Sequence, residues 1–238
     1  MSKLSLACFL TILWGVSPVN ASYPASGYSD TVAVLRLLHN EEIAASRTYQ
    51  AYASQAISER HASVESFFAA LAWSADIRAE NTAAVLKDMG ATPIAPPETK
   101  VCTASTRLNL KLMSRLEALR MAKRYPMLIE RITPEGHAAA IRNATQAWKV
   151  DTGHRRLAAA ILTGMESFLS IGGRIPKQFY VCRACGAVDS SVPQLTCPVC
   201  GGPTSDYRIV DTNHRLHRST ELNTHSYTED KRLCKPNV

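Results

Sequence analysis

Four stretches of this 238-residue chain place residues at alternating three- and four-residue spacing, and each interrupts its apolar pattern near the middle with charge. Spacing of that kind is the seam of helices packed side by side. The first stretch, about 29–57, gives Leu35, Leu38, Glu42, Ala45, Tyr49, Tyr52 and Ala56. The second, about 62–89, gives Phe68, Leu71, Ala75, Arg78, Thr82, Val85 and Met89. The third, about 105–132, gives Leu110, Met113, Glu117, Arg120, Arg124 and Met127, and Pro126 predicts a kink in it. The fourth, about 134–168, gives Ala140, Ala144, Ala147, Asp151, His154, Ala158, Ile161 and Met165, with Thr133-Pro134 as cap and first turn. Charge in a bundle core is costly unless it is paired or binds metal. A single such residue could sit on a helix turned so that its charge meets water. On all four helices that would need four coincident rotations, so the pattern points to a polar centre inside an all-helical bundle.

The rest of the chain frames that bundle. Hydrophobic residues make up 46 % and charged residues 20 %, ordinary globular material, and aromatics are only 7 %, which favours helices over a β-sandwich. Residues 1–21 start with Lys3, continue as an apolar block from Leu4 to Val16 and close on Val19-Asn20-Ala21, the pattern of a signal peptide cleaved after Ala21. An uncleaved anchor or a buried first helix is the alternative. Export to a periplasmic or other extracytoplasmic space follows, with no membrane span left after cleavage. The net charge of +7 permits acidic partners without requiring them, and an exported chain is not expected to meet nucleic acid. Residues 91–104 hold three prolines and read as a linker, and 211–238 read as a polar tail.

Between bundle and tail, over about 177–210, lie Cys182-x2-Cys185 and Cys197-x2-Cys200 with eleven residues between the pairs. Two such knuckles supply four thiolates at tetrahedral reach, a strong metal signature. Gly186 and Gly201 follow each second cysteine and let backbone N–H groups turn toward sulfur. Four thiolates suit one iron or one zinc equally well. Cys102 and Cys234 are left over; they form either a disulfide or two free thiols.

Several segments resemble the rubrerythrins, over roughly residues 30–210. NEEIAASRTYQAYASQA (40–56) is similar to the family's first helix, with Glu42 at its ligand position and Tyr49 at its tyrosine near the metal. Glu117 precedes Tyr125-Pro126 by eight residues, as in that family, and Asp151-Thr152-Gly153-His154 stands where the family has Glu-x-x-His. The resemblance implies a mainly α fold: a ferritin-like four-helix bundle (29–170), then a small rubredoxin-like four-cysteine metal domain. It also implies a homodimer, an iron on the four cysteines, and electron delivery to a di-iron site that reduces hydrogen peroxide to water. The redox partner is not implied.

The departures fall on the di-iron ligands. Ala75-Asp76-Ile77-Arg78 replaces the second helix's Glu-x-x-His, Arg120 replaces a carboxylate on the third, and the fourth helix's Glu is shortened to Asp151. Arginine stays protonated in a folded protein. The expectation is that Arg78, Arg120 and a protonated His154 balance Glu42, Glu117 and Asp151 one for one, so that ion pairs replace the metal pair. A single metal on Glu42, Glu117, Asp151 and His154 is the alternative. Three functions compete on these grounds: one-electron transfer through a four-cysteine iron, a peroxidase, or a non-redox module stapled by zinc.

Overall fold

The computed structural model describes residues 27–97, 101–166 and 175–210. The expected signal peptide, the polar tail and Cys234 lie outside the described residues. Helix α1 (Ser29–Ser58) and α2 (Ala62–Asp88) form a long antiparallel hairpin. Helix α3 (Thr106–Leu119), a π-helical turn (Arg120–Arg124) and α4 (Tyr125–Ile132) make one broken rod, and α5 (Ala138–Glu166) returns beside it. Four rods thus pack as the spacing anticipates.

Two local expectations are corrected. The third rod adjusts in the π turn just ahead of Pro126, not by a simple kink at the proline. A π turn takes in one extra residue and so rotates everything beyond it by about 100°. The seam therefore shifts by one: Tyr125, Leu128 and Ile132 are buried, while the expected Met127 is 58 % exposed. Nor does Thr133-Pro134 begin the fourth rod. The Thr133 hydroxyl donates back to Ile129 O (2.7 Å), so it is spent on the preceding helix. A short 3-10 turn and left-handed Gly136 (φ +69°) follow, and α5 is capped by His137, whose Nδ1 accepts from Ala140 N–H. Glu135 in that turn reaches across to α1, where its carboxylate accepts from the N–H groups of Asp30 and Thr31 (2.9 and 2.8 Å), a remote N-cap.

The bundle interior is layered. At one end Leu35, Leu38, Leu86, Leu128 and Ile132 form an apolar cluster. At the other, Tyr52, Phe67, Phe68, Leu71, Leu110 and Ile161 form a second. Fully burying side chains of this size contributes roughly 1.5–3 kcal/mol each, and these slabs hold the charged layer between them away from water. The second slab continues out of the bundle. Phe179, Val181 and Val188 of the cysteine module belong to it, and the rings of Phe67 and Phe179 lie 5.2 Å apart. The module itself is a three-stranded antiparallel sheet in the order β2–β1–β3, from β1 (Tyr180–Cys182), β2 (Val188–Asp189) and β3 (Tyr207–Ile209). Among the described residues, no helix is long and apolar enough to cross a membrane.

Candidate metal centre and the charged layer beside it

The two cysteine knuckles close on one point. All four Sγ atoms lie within 4.8 Å of one another, with Cys182–Cys200 at 3.9 Å and Cys185–Cys197 at 3.6 Å. A regular tetrahedron of sulfurs about an ion at ~2.3 Å has edges of ~3.8 Å, so the donor set fits one thiophilic metal. Cys182, Cys185 and Cys197 are buried. Backbone N–H groups of Ala184 and Cys185 point at the Cys182 sulfur, that of Ala187 at Cys185, and that of Gly202 at Cys200. The Tyr207 hydroxyl donates to Cys197 Sγ at 3.3 Å. Hydrogen bonds from the Cys185 thiol and from backbone hold the Cys182 thiol down at about 5. Such donors favour thiolate and tune a bound metal.

This module sits directly on α2. Gly186, left-handed at φ +79°, comes so close that a Cβ there would lie 2.8 Å from the backbone oxygen of Ser74. The glycine that turns N–H groups to sulfur thus also permits docking. The Ser74 hydroxyl donates to Gly186 O (2.5 Å), and Asn81 Nδ2 donates to Ala184 O (2.9 Å).

One residue deeper lies the charged layer, built from every expected position. Arg78, 4 % exposed, forms ion pairs with Glu42 Oε2 (2.6 Å) and with Asp151. Arg120 reaches Glu42 Oε1 (3.2 Å), Asp151 Oδ2 (3.6 Å) and Glu41 Oε2 (3.5 Å), and Arg124 also pairs with Glu41. The Tyr125 hydroxyl donates to Asp151 Oδ2 (2.9 Å), and Tyr49 donates to Glu117 Oε1 (3.2 Å). Two guanidinium groups hold the Asp151 carboxyl down at about 2 despite its burial. The same carboxylates push both arginines above their ordinary values, against burial, which works the other way.

Here the one-for-one charge balance is corrected. His154 is fully buried, and burial with the nearby Arg78 lowers it to about 3, so its imidazole is neutral. Burial and the neighbouring Asp151 push Glu117 well above its ordinary value, which favours the neutral acid. The hydrogen bonds agree. Ser74 spends its one proton on Gly186 O, so at its other contact (3.3 Å) it accepts from His154 Nε2–H. His154 Nδ1 then carries a lone pair 3.4 Å from Glu117 Oε1, where an ionised carboxylate would repel it and a protonated one can donate. The layer balances two against two: Arg78 and Arg120 with Glu42 and Asp151. Glu42, whose own carboxyl burial raises, belongs to the arginines and not to the expected four-residue metal set. Donor atoms of Glu117, Asp151 and His154 alone converge within 4.8 Å. Ser74, Tyr125 and Glu41 complete the site without having been singled out as part of it in the sequence. Cys102 is disulfide-bonded.

The chain is similar to nigerythrin, a rubrerythrin family member, in its fully reduced, all-ferrous state, with a TM-score of 0.65 and 21 % identity over 75 % of this chain and 86 % of that one. The mixed-valent and partially reduced states of nigerythrin each give a TM-score of 0.64 and 22 % identity over the same shares. No family model and no curated protein matches the sequence. The fold is therefore that of nigerythrin: a ferritin-like bundle with a four-cysteine module toward the C-terminus.

Proposed function

We propose, from the nigerythrin fold as premise, that this chain is an exported one-electron carrier whose working centre is a single iron on Cys182, Cys185, Cys197 and Cys200. Bound there, iron supplies Fe(II)/Fe(III) cycling with little geometric change. The chain's own part is to bury the sulfurs, aim N–H donors at them and fix the module against α2. The observation that carries the reading is the contrast between two sites packed together. The thiolate site has a complete tetrahedral donor set. The bundle centre does not fit a metal pair, because Arg78 and Arg120 fill it and already hold Glu42 and Asp151. Two dications beside two fixed guanidinium charges in a low-dielectric core are strongly opposed. Ion pairs in place of the metal pair leave no site for rubrerythrin-type peroxide reduction.

Export is supported by the signal-peptide pattern of residues 1–21, and the disulfide at Cys102 suits an oxidising compartment. A homodimer accompanies the proposal, as the family resemblance implies. A second reading, one metal in the bundle, is favoured by the bare Nδ1 of His154 facing Glu117 and Asp151.

The test is metal analysis with a visible spectrum on protein produced in its native compartment. One iron per chain, with a red colour bleached and restored by one electron, supports the carrier. A colourless zinc protein overturns it in favour of a structural staple. Peroxide turnover abolished by His154→Ala would favour a metal in the bundle.

A further inference from the structure

The face between α1 and α3 is incompletely closed, and a groove of about 600 Å³ runs along it. That is within the range of small-molecule sites. The two rods run antiparallel here, because Tyr52 faces Met113 at one end and Glu41 pairs with Arg124 at the other. One end is apolar: Tyr52, Met113 and Leu116 line it, and Leu116 is 59 % exposed. The other end gathers Arg120, Lys123 and Arg124 from the π turn.

Charge decides what suits this shape. Arg120 is committed inward to Glu42 and Asp151. That leaves Lys123 and Arg124 at the rim against Glu41 alone, an excess of one positive charge. Glu117 lies on the floor between the two ends. Its Oε2, with the Nε atoms of Arg120 and Arg124, is buried without a hydrogen-bond partner. Orphaned polar atoms at the cationic end of an apolar trough fit a ligand with one anionic head and a greasy tail.

We propose that this groove binds a free long-chain carboxylate, head at Lys123 and Arg124, tail over Leu116, Met113 and Tyr52. The site is separate from the cysteine module and does not depend on the electron-carrier reading. The probe is dodecanoate below its micellar concentration, titrated calorimetrically into the full-length, metal-loaded protein, with dodecyltrimethylammonium as the opposite-charge control. The expected result is saturable binding of one dodecanoate per chain in the micromolar range and none of the cation. Lys123→Glu should weaken binding at least tenfold. Met113→Trp, which fills the tail end, should abolish it, and both variants should keep the visible spectrum and helicity. Equal binding of both amphiphiles, or loss of neither on substitution, would overturn the proposal. So would binding only to anionic phospholipid vesicles. If dodecanoate is refused and Leu119→Glu turns a dimer into a monomer, a second copy covers the groove and the proposal fails.

Discussion

Replacing Glu117 by glutamine tests the proton inventory of the charged layer. In the folded chain His154 refuses a proton until about pH 3, whereas the unfolded chain takes one up near 6.5. On its own this lowers stability as pH falls through that window, by about 1.4 kcal/mol per unit. Glu117 has the opposite sign. Its folded carboxyl keeps a proton well above 4.5, where the unfolded one loses it, so on its own it lowers stability as pH rises from 4.5. The two slopes offset each other between 4.5 and 6.5, up to the folded pKa of Glu117. Glutamine is neutral like the acid, accepts from Tyr49 as Glu117 does at the cost of the donation from that oxygen to His154 Nδ1, and cannot ionise in either state. At pH 4.5 Glu117→Gln should match the parent within about 1 kcal/mol, the usual net worth of a hydrogen bond. Above that pH it should gain on the parent, with a slope approaching about 1.4 kcal/mol per unit, until the folded Glu117 carboxyl itself ionises. Urea unfolding of both full-length proteins across this range measures the difference, and contributions from Asp151 and the thiolates cancel in it. A pH-independent difference would refute the reasoning. So would a variant that loses ground as pH rises, since that places an ionised Glu117 against a charged His154.

Gly186→Ala should cost about 2–4 kcal/mol, from a left-handed backbone and a 2.8 Å approach to Ser74 O; thermal unfolding reads the loss, and metal should leave faster in chelator. Arg78→Met strips Glu42 and Asp151 of the more buried of their two shared cations, a loss of about 3–5 kcal/mol at neutral pH. That penalty should shrink in acid as the freed carboxylates take up protons, which chemical denaturation at two pH values checks. Cys182→Ser should abolish the iron spectrum while far-ultraviolet circular dichroism keeps the signal of the bundle.

Much of this was legible in the sequence because both sites follow from spacing. Knuckles three residues apart can only converge their sulfurs. Glu42, Arg78, Glu117, Arg120, Asp151 and His154 meet because seam positions at one height of a bundle must face one another. What escaped was set by one inserted residue and by protons. The π turn has no compositional mark beyond its place before Pro126, yet it moves Tyr125 to Asp151 and turns Met127 outward. Glu41 lies off the seam and is recruited only by that turn's arginines. Ser74 stands one helical turn before Arg78, a signal available in hindsight, but its role depends on where the module docks. The neutral state of His154 could not be counted from formal charges, since burial determines it.

Anomalous scattering at the iron edge, from crystals grown with iron, tests replacement of the metal pair most directly. One peak per chain among the four cysteine sulfurs, with Arg78 and Arg120 still paired to Glu42 and Asp151, is the predicted result. Two further peaks bridged between the helices, with both arginines swung outward, would contradict it.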